Sequence, residues 1–94
     1  MKILFQTFEC KLNKTEYVNG RTALVLEDIN DGQNVAVATI NVPKQKLEHD
    51  EVIIKNYGEN EGILDLLVSH KIISQPLKHV VTGLTSSPIC KILI

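Results

Sequence analysis

Three stretches of this 94-residue chain carry side chains that could do chemistry: His49-Asp50-Glu51, the thiols of Cys10 and Cys90, and the hydroxyls of Ser86-Ser87. None has the spacing its chemistry needs. Neighbouring residues of an extended segment point to opposite faces, so His49, Asp50 and Glu51 do not readily converge on one ion. A nucleophile needs a base and an oxyanion donor, and neither cysteine sits at a Gly-rich elbow or a helix start. Ser86 and Ser87 precede Pro88 in a turn-like context, where hydroxyls commonly bond local backbone. The glycines at 20, 32, 58, 62 and 83 are too scattered to cradle a phosphate. The chain therefore reads as non-enzymatic, with no metal and no cofactor.

What remains is a surface for binding. Tyr57, Glu59, Asn60 and Glu61 fall where a loop runs into a helix, a junction rich in backbone N–H groups and carboxylates. Such a junction suits a protein partner or a small polar ligand. Arg21, at the head of the segment that follows the Asn19-Gly20 turn, joins these four as a candidate binding residue. The helix itself, about 57–70, shows the chain's one convincing helical period. Ile63, Leu66, Leu67 and His70 recur at helical spacing, while Glu61, Asp65 and Ser69 fall on the other side. Asn56 is placed to cap its first turn, and His70 and Lys71 suit its negative end.

The rest of the chain reads as strands and turns. The apolar residues make up 44% of the sequence and are mainly Val, Ile and Leu, with two Phe, two Tyr and no Trp, a composition that favours sheets. A strand is expected from Ile3 to Leu12. Asn19-Gly20 is a strong hairpin signal, but a two-residue loop there would set Leu12 opposite Glu27. A three-residue loop or a bulge sets Leu12 opposite Leu26 and matches the faces. Asp31-Gly32 as a two-residue loop would set Leu26 opposite Val37 and Leu24 opposite Thr39. Ala23, Ala36 and Ala38 would then form a small-residue face. Pro43 ends that strand. Glu51–Lys55 makes a short strand before the helix, Ile72 and Ile73 continue the apolar surface, and a last pair, 79–84 and 89–94, is joined through Thr85-Ser86-Ser87-Pro88. The expected fold is α+β: one mainly antiparallel, twisted sheet of five to six short strands, with the helix packed on one face, in a single domain.

Ten basic against eleven acidic side chains leave a net charge of −1, so no global field draws the chain onto nucleic acid. Lys44, Lys46, Lys71, Lys78 and Lys91 lack interleaved aromatics and read as solvated. No run approaches the about 20 apolar residues of a membrane span, and the N-terminal run is too short for a signal peptide. Cys10 and Cys90 read as buried, reduced thiols, with a disulfide between terminal strands as the alternative. The closing strand, Ile89-Cys90-Lys91-Ile92-Leu93-Ile94, has two readings: an apolar edge that pairs with a second copy, giving a homodimer, or a central strand flanked on both sides.

Asn19-Gly20-Arg21-Thr22-Ala23, Val37-Ala38-Thr39-Ile40-Asn41, Asn56-Tyr57-Gly58-Glu59-Asn60-Glu61-Gly62 and Pro88-Ile89-Cys90 occur in an order that resembles a family of short uncharacterised proteins carried by bacterial mobile elements and phages. The resemblance covers nearly the whole chain and supplies no activity or cofactor. With neither a span nor a signal peptide read, the chain is expected in the cytoplasm, and the resemblance implies an accessory protein of a mobile element that contacts a host factor, including one that inhibits a host defence system. A small-ligand binding or sequestering protein is the alternative, and a DNA-associated regulator the third reading.

Overall fold

The computed structural model describes residues 2–94. Its architecture is α+β. β1 (Ile3–Phe5), β2 (Phe8–Glu16), β3 (Thr22–Asp28) and β4 (Asn34–Val37) form one antiparallel sheet in that order. β5 (Thr39–Ile40), β6 (Glu51–Ile54), β7 (Lys78–Thr82) and β8 (Thr85–Lys91) form a second in the order β5-β6-β8-β7. One sheet was expected, and Ala38 explains the second. Its N–H donates to the Leu24 carbonyl in the first sheet, at 2.8 Å, and its carbonyl accepts the Lys55 N–H beside the second, also at 2.8 Å. A small residue at that bend lets one strand leave its first partner and join another. Ala36 and Ala38 pack in the core with Leu24 and Leu26. Ala23, adjacent to Leu24 in the strand, is buried on the other face, so the three alanines do not share one.

Hairpin registers follow the burial pattern more closely than turn signals do. The β2–β3 loop has three residues, with Tyr17 N–H bonded to the Arg21 carbonyl at 2.7 Å, and Leu12 lies opposite Leu26 as face matching requires. The expected first strand is instead a hairpin. Gln6-Thr7 turns the chain so that Phe5 faces Phe8 and Ile3 faces Cys10, and Gln6 takes φ 55°. In the β3–β4 pair a bulge at Leu26/Glu27 sets Leu26 opposite Ala36 and Val25 opposite Val37, correcting the expected Leu26–Val37 pairing by one residue. The last hairpin turns at Gly83-Leu84, and Ser86, Ser87 and Pro88 belong to β8. Pro88, with no N–H to give, falls past the end of the β6 ladder, where β8 has a neighbour on one side only.

Residues 58–69 are helical, but in two pieces. A 3-10 turn, Gly58–Asn60, precedes α1 (Ile63–Ser69). Gly62, at φ 93°, divides them with a left-handed residue that glycine alone adopts without strain. Asn56 does cap this region, although at the later start: its Oδ1 accepts the Leu64 N–H at 2.9 Å. α1 buries Ile63 and Leu67 among residues of both sheets, and Ile72 and Ile73 extend the same core.

β8 lies between β6 and β7, and Ile89 and Cys90 are fully buried. Of the two arrangements open to the closing strand, the central one is observed: β6 pairs with Ile89, Cys90 and Lys91, β7 pairs with residues from Thr85 to Ile89, and beyond β7 the Lys91 backbone bonds to Ser74. Cys10 and Cys90 are both free, buried thiols in the core cluster. Burial pushes the Cys90 thiol up to about 11 and also raises that of Cys10.

Candidate functional site

The short turn Gly58–Asn60 is held from two sides. Asn60 is buried, and its Nδ2 donates to the Val37 carbonyl of β4 at 2.7 Å. Gln6, from the β1–β2 turn, donates its side-chain amide to the Glu59 carbonyl at 3.1 Å. The Glu59 carboxylate pairs with the ammonium of Lys55, which lies 5.6 Å over the Tyr57 ring. That hydrogen bond holds the Glu59 carboxyl below its ordinary value and lifts that of Lys55. The turn thus ties β4 to the β1–β2 hairpin and points one carboxylate outward between them.

Two hollows meet at Glu59. The first, about 280 Å³, lies among the β1–β2 turn, the β3–β4 turn and Glu59, with Phe5, Phe8, Asp28 and Asp31 on its walls. The second, about 370 Å³, runs along β4 and β5 to Lys55 and Asn60. Both include Asn34, Val35 and Glu59 in their walls, so they form one elongated groove. β4 is the last strand of its sheet, which makes this groove a strand edge as well as a cavity. A third hollow of about 410 Å³, between Lys14, Thr15, Glu16, Gly20 and Thr22 on the β2–β3 hairpin, has no apolar floor.

Of the five residues singled out in the sequence, the structure brings Glu59 and Asn60 to the groove. Tyr57 stands beside it under Lys55, and Glu61 is exposed and outside its walls. Arg21 is elsewhere. Its guanidinium donates to the Val42 carbonyl at 2.7 Å and also to the carbonyls of Gln45 and Pro43, stapling the loop that follows β5. Asp28, Asp31, Phe5, Phe8 and Gln6 were not foreseen as site residues. The Asn30-Asp31-Gly32 turn signal marked where Asp31 lies, but only the unforeseen Gln6-Thr7 hairpin brings Phe5 and Phe8 to it.

At His49-Asp50-Glu51 the carboxylates have other partners. Glu51 accepts the Glu48 N–H at 2.9 Å and lies 3.7 Å from Lys78 Nζ, and Asp50 lies 3.4 Å from Lys91 Nζ. Among the described residues, no three His, Cys, Asp or Glu side chains are grouped to hold a metal ion, and no helix is long and apolar enough to cross a membrane. Comparison with protein-family models, curated proteins and solved structures finds no match.

Proposed function

We propose that the chain is a non-catalytic accessory protein that acts by gripping a protein partner along the groove at β4. The observation that carries this reading is the pair of adjoining hollows along a strand edge, with Glu59 between them. A strand edge supplies main-chain donors and acceptors to an extended partner, and hollows beside it supply side-chain selectivity. A compact small ligand uses one hollow and has no need of the edge. The sequence resemblance to mobile-element proteins supports a host factor as the partner, including a component of a defence system, met in the cytoplasm of a bacterial host.

The test is capture from host lysate with two tagged proteins, the wild type and Asn34→Arg. Asn34 is exposed and contributes to both hollows, so arginine there obstructs the groove without touching the core. One protein captured stoichiometrically by the wild type and lost with Asn34→Arg is the expected result. Equal capture by both proteins, or a small molecule released from the wild type in place of a protein, contradicts the reading.

A further inference from the structure

We infer that the Asp28–Asp31 end of the groove receives an arginine or lysine side chain carried on an extended segment of the partner. This rests on the protein-binding reading above and adds the chemistry the partner must bring. Shape comes first. An occupant that fills both hollows has to run along β4, as an extended chain does, and Asn60 already occupies the Val37 carbonyl, leaving the stretch at Asn34 and Val35 for the partner. At about 280 Å³, the first hollow falls just under the roughly 300–1,000 Å³ of sites for drug-sized ligands and suits one long side chain.

Charge and surface then select which side chain. Three carboxylates, from Asp28, Asp31 and Glu59, stand on the walls of the first hollow, and no Lys or Arg does. Oδ1 of Asp28 accepts the Asn30 N–H at 2.8 Å, and Oδ1 of Asp31 accepts the Gln33 N–H at 2.9 Å. Their other oxygens have no protein donor among the described residues. Lys55 offsets Glu59 from the second hollow, so the first keeps its negative balance. These carboxylates do not form a metal-holding group, which leaves an organic cation as the complementary charge. Phe8, 42% exposed at the same wall, gives the alkyl stem apolar surface and the cationic head an aromatic face. Carboxylates at the end of an apolar wall match a side chain that is a hydrocarbon stem ending in a cation.

The test titrates the whole isotope-labelled protein with acetylated, amidated peptides Thr-Val-X-Val-Thr, where X is arginine, lysine, norleucine or glutamate, and follows amide chemical shifts. The arginine and lysine peptides are expected to move the amides of Phe8, Asp28, Asp31 and Asn34. The Asp28→Asn/Asp31→Asn protein keeps both Oδ1 acceptors, and so both turns, and is expected to bind them about tenfold more weakly. A norleucine or glutamate peptide that binds as tightly, or undiminished binding by the double variant, overturns the cationic assignment but leaves the groove as a peptide site. No groove shift with any of the four peptides also overturns the assignment, and the Asn34→Arg capture then decides separately whether the groove binds protein at all.

Discussion

The Tyr17 hydroxyl lies 3.0 Å from the carbonyl oxygen of Thr39 and 2.8 Å from its hydroxyl, at the point where the chain passes from one sheet to the other. Thr39 Oγ1 also lies 3.3 Å from the Leu24 N–H. One proton arrangement satisfies every group: Leu24 N–H donates to Thr39 Oγ1, the Thr39 hydroxyl donates to Tyr17, and Tyr17 donates to the Thr39 carbonyl. Tyr17→Phe is expected to lower stability by about 1–2 kcal/mol, and Thr39→Val by more, because it also leaves a buried N–H without a partner. Urea unfolding with an unchanged m-value checks both.

Asn60 stabilises the groove's wall through a donor, and of the two substitutions that remove it only one adds a charge. Asn60→Ala is expected to cost about 1–3 kcal/mol by orphaning the Val37 carbonyl. Asn60→Asp is expected to cost more at pH 7, since a buried carboxylate then faces a carbonyl oxygen. Thermal unfolding of the two variants at pH 7 gives the order. Equal stability of Asn60→Asp and wild type would show that the bond to Val37 holds nothing.

Much of this geometry is legible in the sequence, and the parts that are not have physical causes. Leu12 facing Leu26 follows from face matching alone, because a strand with one buried face tolerates no one-residue slip. The helical period placed Ile63 and Leu67 in the core, and the loop-to-helix junction singled out Glu59 and Asn60, which line the groove. Gln6-Thr7 gave no warning, since turns with φ above zero usually announce themselves with Gly or Asn and Gln6 is neither. With that hairpin unseen, Phe5 and Phe8 could not be set against Asp28 and Asp31. Arg21 lies elsewhere, and its three carbonyl partners come from residues 42–45, which nothing local to the Asn19-Gly20 turn announces.

Gly62 sets where α1 begins. At φ 93° its replacement by alanine is expected to cost about 1 kcal/mol or more, although no atom obstructs a Cβ there. Denaturant unfolding of Gly62→Ala measures this. A stabilised variant would mean that the helix runs unbroken from the 3-10 turn.

The buried thiols set a limit at high pH. The Cys90 thiol titrates near 11 in the folded chain against an ordinary value of 9.0, and that of Cys10 is raised in the same direction. The unfolded chain therefore loses these protons first. Stability is complete below about pH 9 and falls as pH rises towards 11, because the folded state binds more protons across that window. Unfolding followed from pH 8 to 11 should show this decline, and Cys10→Ser/Cys90→Ser, itself less stable at pH 8, should lose that part of the slope.

Hydrogen exchange of the captured complex against the free protein tests the central claim most directly, because it locates the partner on the chain. New protection is expected in three separated segments, residues 5–8, 28–37 and 57–61, which only the groove at β4 brings together. Protection centred instead on the β7–β8 hairpin, where Val81 and Leu84 are exposed, with these three segments unchanged, would contradict it.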